Sequence, residues 1–170
     1  MSKDISKASF GTTVAYGLPG IGAGYMYLLM SLYVMKFSTD VLLIAPAVMG
    51  VIFSISRIWD AISDPIAGYL SDRTTFKFGR RRSWILLSFI PISFGFLAVF
   101  SPPESLQGES LDLWMMIAIL SFYSAITLFN VPHMALGAEL SEDYHERTRL
   151  FGVRHIGFTF GSILSLVTMS

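Results

Sequence analysis

Five long apolar stretches constrain the fold of this chain more than any other feature. They cover about residues 13–37, 41–70, 84–100, 113–138 and 151–170. A helix needs about 20 mostly apolar residues to cross a bilayer, and each stretch approaches or reaches that length. Only 14% of the residues are charged, against about 25% in an average soluble domain. We therefore predict an all-α membrane protein with about five transmembrane helices and no separate soluble domain.

The loops between the stretches predict the orientation of the chain. The segment between the second and third stretches contains five basic residues and one acidic residue: Arg73, Lys77, Arg80, Arg81, Arg82 and Asp72. The next loop contains Glu104, Glu109 and Asp112 and no basic residue. Basic loops remain in the cytoplasm, so both loops place the N-terminus there. This pattern predicts a multi-pass protein of the plasma (inner) membrane.

Several classes of function find no support in the sequence. The zero net charge gives no reason to expect a nucleic-acid partner. The absence of cysteine excludes disulfides, thiolate metal sites and a cysteine nucleophile. The chain has no GxxxxGK[ST], HExxH or GxSxG motif. We therefore predict that the protein is not an enzyme and carries no cofactor.

Three ionisable residues interrupt the second apolar stretch. The spacing of Arg57, Asp60 and Asp64 places them on one face of a helix. A charge inside the bilayer costs at least about 2.5 kcal/mol, so we expect this face to contact protein or water. Two carboxylates one turn apart offer oxygen ligands to a small cation, and a cation or a proton would relieve their repulsion. Alternatively, Arg57 only neutralises one aspartate and fixes helix packing.

The glycine motifs, His133 and the prolines of the apolar stretches have structural interpretations. The spacings Gly20-x-x-x-Gly24 and Gly157-x-x-x-Gly161 predict close helix packing. His133 is interpreted as a packing residue, with proton transfer as the alternative. Prolines inside the apolar stretches predict bends: Pro19, Pro65, Pro91 and Pro132.

Several segments of the chain together point to a known family. The second stretch contains RIWDAISDP and is followed by GYLSDRTTFKFGRRRSW. YGLPGIGAGYMYLLMSLYVMKFSTDV, LFNVPHMALGAEL and ERTRLFGVRHIGF extend the pattern over essentially the whole chain. These segments resemble the glycoside-pentoside-hexuronide:cation symporter family of the major facilitator superfamily, whose best-known members are bacterial melibiose transporters. The combination of WDAxxDP with GRRR carries most of this resemblance.

The resemblance implies a fold and a cation site. The chain would supply most of the N-terminal six-helix half of a major facilitator fold, without the C-terminal half. Asp60 and Asp64 match the paired acidic residues that the family uses for its coupling cation, so the resemblance implies Na⁺ or H⁺ there, with Na⁺ as the candidate metal ion. Ser63 and Thr127 fall where the family has neutral oxygen ligands.

The expected solute cavity departs from the family's sugar-binding pattern. Gly24 and Asn130 stand where melibiose-type members have sugar-binding acids, and Met134 stands where an aromatic ring would stack on the sugar. Arg57 and Arg154 complete the predicted cavity, although Arg154 could equally snorkel from a helix end. The resemblance therefore implies a sugar, a glycoside or a related small solute, and leaves a lysolipid open.

A loop between the second and third stretches has two interpretations. Asp72, Arg73, Arg80 and Arg81 resemble the loop that gates major facilitators, where charged pairs close one face of the alternating-access cycle. A basic loop is also needed for membrane orientation alone. The family resemblance favours gating.

We thus predict a cation-coupled symporter that contacts membrane lipid, a small solute and a monovalent cation. Its mechanism would be alternating access. Five spans cannot complete a twelve-helix carrier, so we expect a truncated chain, or one completed by another membrane chain. The alternative is a non-transporting remnant that binds partner helices.

Overall fold

The computed structural model describes residues 8–76 and 79–169, and every regular element in these ranges is helical. We name its five long helices in chain order. They are α1 (Phe10–Val41), α2 (Pro46–Arg73), α3 (Arg80–Phe100), α4 (Glu109–Glu139) and α5 (Tyr144–Met169). The predicted all-α class is confirmed. Lys77 of the basic loop and Ser170 at the end of the last predicted stretch lie outside the described residues.

Among the described residues, four helices are long and apolar enough to cross a membrane: α1, α3, α4 and α5. They make this a multi-pass membrane protein. α2 has 28 residues, which is also long enough for a span. It falls short in hydropathy because Arg57, Asp60 and Asp64 interrupt its apolar surface. The helix that is least suited to lipid is therefore the one that carries the predicted site.

The helices begin and end at different residues from the apolar stretches. α3 begins at Arg80 and α4 at Glu109, since charged side chains at helix ends reach the wet headgroup layer. Val41 ends α1 and does not begin α2. α2 begins at Pro46, because proline fits the first turn of a helix, where its missing N–H has no partner to lose.

α1 is less regular than the other long helices. Leu18 separates the α-helical segments Phe10–Gly17 and Pro19–Leu28, so the bend predicted at Pro19 coincides with a break. Leu29–Tyr33 and Phe37–Val41 form wider π-helical turns, which change the direction in which later side chains point.

The chain forms two compact units. The first comprises residues 8–33 and 134–169 among those described, and we call it the glycine-packed unit. The second comprises residues 34–76 and 79–133, and we call it the charged unit. Both names refer to the contacts described below.

In the glycine-packed unit, α5 lies along the first part of α1 with backbone close to backbone. A Cβ atom added to Gly20 would lie 2.7 Å from the carbonyl oxygen of Arg154. A Cβ added to Gly24 or to Gly161 would collide with a backbone carbonyl of the opposite helix. Both glycine motifs therefore mediate helix packing. Such close approach matters in a bilayer because apolar burial gives no net drive for helices to associate there.

Polar contacts hold the beginning of α5 in the same unit. Asp143 caps the helix, since its Oδ1 accepts a hydrogen bond of 2.8 Å from the backbone N–H of Glu146. Arg149 forms an ion pair of 3.1 Å with the buried Glu146. Arg149 also donates to the backbone carbonyl of Ala8 at 3.0 Å and to Thr13 Oγ1 at 2.7 Å. The beginnings of α1 and α5 are therefore joined by one guanidinium group.

Candidate functional site

Three side-chain hydrogen bonds connect α2 to α4 within the charged unit. Each joins one residue of α2 to one residue of α4: Arg57 to Tyr123, Trp59 to Ser124, and Asp64 to Thr127. Residue numbers rise together along the two helices, so α2 and α4 run parallel. This direction is consistent with the predicted topology, in which the second and fourth spans both run from the outside to the cytoplasm.

Arg57 and Asp60 form an ion pair along α2. Arg57 Nη1 lies 3.2 Å from Asp60 Oδ2. Arg57 Nη2 donates to the hydroxyl oxygen of Tyr123 at 3.2 Å, and the guanidinium carbon lies 4.9 Å from the centre of the Tyr123 ring. The Arg57 side chain is 50% exposed and that of Asp60 is 23% exposed. The arginine therefore contacts Asp60 and Tyr123 at once, and half of its side chain is accessible.

The second carboxylate oxygen of Asp60 is buried and has no hydrogen-bond partner among the described residues. An ionised oxygen left in this way costs more than a neutral one, because water no longer solvates it. A cation or a proton bound to Oδ1 would remove that cost. This atom is the clearest sign of a ligand position in the charged unit.

Asp64 is oriented by α4. Its Oδ1 accepts a hydrogen bond of 2.9 Å from the hydroxyl of Thr127. Thr127 is buried and keeps lone pairs on its oxygen, so it can coordinate a cation while it donates to Asp64. Ser63 is different, since its hydroxyl donates to the backbone carbonyl of Asp60 at 3.4 Å. The structure thus brings the Thr127 hydroxyl to the Asp64 carboxylate, and the predicted role of Ser63 as a cation ligand stays a prediction.

The charge of this cluster suits a monovalent ion. Asp60 and Asp64 with Arg57 carry one net negative charge, which one Na⁺ or one proton would neutralise. Within residues 8–76 and 79–169, no group of three or more His, Asp or Glu side chains could hold a metal ion. If Na⁺ binds to the two carboxylates of this cluster, neutral oxygens would have to complete its coordination.

The predicted solute-cavity residues are divided between the two units. Arg57 and the half-buried Asn130 lie in the charged unit, and Gly24, Arg154 and Met134 lie in the glycine-packed unit. Met134 is 50% exposed. Gly24 is buried against the backbone of Phe158, which leaves no space for a solute group at its Cα.

The loop between α2 and α3 contains one of the predicted charge pairs. Arg81 forms an ion pair with Asp72 and donates to Ser71 Oγ at 3.1 Å. Arg73 instead lies over the ring of Tyr69, 4.2 Å from its centre. Arg80 is exposed at the start of α3.

Glycine is required where this loop enters α3. Gly79 has φ +93°, a backbone conformation that other residues rarely adopt. The indole N–H of Trp84 donates to Thr74 Oγ1 at 3.0 Å. The end of α2 is therefore bound to the first turns of α3 by this bond and by the Asp72–Arg81 pair.

Sequence reasoning missed Tyr123, Trp59 and Ser124. Tyr123 lies one helical turn before Thr127, and Trp59 lies beside Asp60. Their spacing along the sequence could therefore have indicated that both lie near the predicted cation ligands. Packing is the better interpretation of His133, which is 2% exposed and stacks on Phe129 with ring centres 5.0 Å apart.

Comparison with known proteins adds independent information. The family described as "MFS/sugar transport protein" matches residues 15–170. "Uncharacterized symporter sll1374" of Synechocystis is 37% identical over 98% of this chain and 32% of its own length. "Sodium-dependent lysophosphatidylcholine symporter 1-A" of Danio rerio is 30% identical over 88% of this chain and 26% of its own length. "Isoprimeverose transporter" of Lactiplantibacillus pentosus is 27% identical over 91% of this chain and 32% of its own length. The chain therefore spans a third or less of each of these relatives.

Proposed function

Because this chain belongs to the MFS/sugar transport protein family, we propose that it is the cation-binding part of a symporter that couples an ion gradient to solute uptake. The observation that carries the proposal is the buried, unpartnered Oδ1 of Asp60 beside a cluster with one net negative charge. A relative named as a sodium-dependent symporter is 30% identical to this chain. These findings together favour Na⁺ as the coupling ion, with H⁺ as the alternative.

In this proposal the cation binds first, between Asp60 and Asp64, with Thr127 as a neutral oxygen ligand. Binding cancels the net charge of the cluster, so less free energy is needed to close the site away from water. Closure brings the loaded carrier toward its inward-facing state by alternating access. The cation and the solute favour the same closed state, and this shared preference couples their binding.

The solute we propose is a sugar, a glycoside or a related small molecule. The family description and the isoprimeverose transporter support this class. Asn130 offers an amide donor and acceptor that suit a neutral polyol. A lysolipid solute is the second candidate, and the similarity to a lysophosphatidylcholine symporter favours it. Competition of both solute types for uptake would separate them.

The remainder of the carrier is also part of the proposal. We propose that further helices, in a longer chain or in a second membrane chain, complete the transport pathway. The arginines at the start of α3 and the acidic loop before α4 support an inner-membrane location with a cytoplasmic N-terminus. A non-transporting remnant would have no need of two ionised aspartates inside α2, since each carries a large insertion cost.

The test replaces each aspartate in the complete carrier, as Asp60→Asn and as Asp64→Asn. Each change removes a negative charge and keeps the side-chain volume, so we expect cation-stimulated uptake to be lost while membrane insertion stays normal. Asp112→Asn, the same change in the first turn of α4, is the matched control and should transport normally. Unchanged cation dependence in both site variants would rule the proposal out.

A further inference from the structure

We propose that Tyr123 is a positioning residue that draws the Arg57 guanidinium away from Asp60 when the coupling cation binds. The inference rests on the proposed function and adds to it a residue that determines cation affinity. Its starting point is the shared position of Arg57 between one carboxylate and one aromatic ring.

Neither partner holds Arg57 tightly. The distances from its guanidinium to Asp60 Oδ2 and to Tyr123 Oη are both 3.2 Å. A strong hydrogen bond between a guanidinium and a carboxylate is shorter, about 2.7–2.9 Å. The guanidinium thus occupies an intermediate position, from which a small rotation would bring it fully to either side.

Arg57 also competes with the coupling cation. Its guanidinium cannot lose its charge, so it always acts as a tethered cation next to Asp60. A Na⁺ ion that uses both oxygens of Asp60 must displace it from Oδ2. The displaced guanidinium then needs a new partner, because an unpaired charge inside a membrane helix bundle is costly.

Tyr123 offers that partner from a fixed place. Its ring face attracts a guanidinium, and its hydroxyl oxygen accepts a hydrogen bond. Tyr123 is 2% exposed, and Phe122 contacts the edge of its ring, with the ring centres 5.8 Å apart. Thr127 follows one turn later on α4, so the same helix supplies both the cation ligand and the position for the displaced arginine.

The inference predicts that the effect of a Tyr123 variant on Na⁺ affinity depends on whether Arg57 is present. Tyr123→Leu removes both attractions, so Arg57 should move closer to Asp60 and weaken Na⁺ binding about ten-fold. Tyr123→Phe keeps the ring and the volume, so we expect a loss of about three-fold. In a carrier that also has Arg57→Gln, neither change at Tyr123 should alter Na⁺ affinity, because no guanidinium remains to be displaced.

The experiment is equilibrium binding to the purified full-length carrier that contains this chain. The carrier is titrated with sodium chloride at constant ionic strength, and separately with acid to detect a bound proton. Met115→Leu is the packing control, since Met115 is buried on the same helix about two turns before Tyr123, and it should leave cation affinity unchanged.

Two results would overturn the inference, and they differ in what they say about the proposed function. Equal losses in the Arg57 and the Arg57→Gln carriers would mean that Tyr123 acts only through packing, and the cation site itself would stand. A wild-type carrier that binds neither Na⁺ nor a proton would overturn the proposed function, and this inference with it. Tyr123→Phe keeps the test decisive if Tyr123→Leu fails to fold.

Discussion

The two units join their helices by opposite means. In the glycine-packed unit, α1 and α5 meet along most of their contact through bare backbone, with glycine wherever a side chain would collide, and pairs of polar side chains join them toward the helix ends. In the charged unit, α2 and α4 meet through long polar side chains that hydrogen-bond across the gap. Backbone contact leaves no free oxygen for a ligand, whereas polar side chains do. The comparison therefore separates a region of close backbone packing from the region in which we propose that a cation binds.

The two kinds of contact also differ in how much they contribute to stability. A side-chain hydrogen bond between membrane helices contributes about 0.6 kcal/mol on average. Forcing an extra methyl group into a close-packed contact costs about 1–3 kcal/mol. The glycine contacts should therefore dominate the free energy of unfolding, while the polar contacts should dominate ligand affinity.

The largest effect is expected at the glycine contacts. Gly24→Ala and Gly161→Ala each place a Cβ inside a backbone carbonyl of the opposite helix, so each should lower the free energy of unfolding by about 2 kcal/mol or more. Unfolding in detergent, followed by circular dichroism, measures the change.

Gly22→Ala and Gly152→Ala are the matched controls for this experiment. Both positions have no atom within 4 Å of an added Cβ, so alanine should stabilise each helix by about 0.5–1 kcal/mol. The opposite signs at positions 22 and 24 of one helix are the specific prediction. Equal effects at these two positions would contradict the packing account.

In the charged unit, Asp64→Asn should change Na⁺ binding and leave the stability of the ion-free carrier largely unaffected. Loss of a carboxylate removes an ionic ligand, so Na⁺ should no longer raise the thermal unfolding temperature of the carrier. Without Na⁺, the free energy of unfolding should stay equal or rise, because the variant replaces an ionised carboxylate inside the membrane with a neutral amide. A large loss of stability in the absence of Na⁺ would show that the aspartate is structural.

Thr127→Val tests the smaller contribution of a neutral ligand. Valine keeps the volume and removes the hydroxyl that donates to Asp64 at 2.9 Å. We expect Na⁺ affinity to fall several-fold and the unfolding free energy to fall by about 0.6 kcal/mol. Thr127→Ser, which keeps the hydroxyl, should recover most of the affinity in the same binding assay.

The smallest effect is expected for the bond between Trp59 and Ser124. Its 2.7 Å hydrogen bond connects the same helices as the cation site but contains no carboxylate. A double-mutant cycle of Trp59→Phe and Ser124→Ala should give a coupling energy of about 0.6 kcal/mol and leave Na⁺ affinity unchanged. A change in affinity as large as that of Thr127→Val would extend the site to this pair.

Much of this arrangement could be predicted from the sequence because helical periodicity determines which residues share a face. The spacing of Arg57, Asp60 and Asp64 predicted one charged face, and the glycine motifs predicted close packing. The family match confirms the resemblance to cation symporters of the major facilitator superfamily. The relatives are named as transporters, which confirms that the chain is not an enzyme.

The contacts between helices could not be predicted in the same way. Whether Tyr123 or Asn130 meets Arg57 depends on the rotation and the axial shift of α4 against α2, and neither is set by local spacing. The hydroxyl of Ser63 donates back to its own helix, and since its oxygen keeps lone pairs for a cation, its role as a ligand stays a prediction. The space that a side chain at Gly24 would take is occupied by α5, which local spacing does not reveal, and the predicted role of Gly24 at the solute stays a prediction.

The first turn of α3 has a consequence for how the protein enters the membrane. Arg80, Arg81 and Arg82 lie at the helix end where the backbone dipole is positive, and each cation there costs about 0.3–1 kcal/mol. The ion pair with Asp72 offsets part of this cost for Arg81. By the positive-inside rule, three such charges resist translocation during biosynthesis, so we expect them to fix the direction in which α2 and α3 insert. The local helix stability lost at this end would then be the counterpart of one preferred topology.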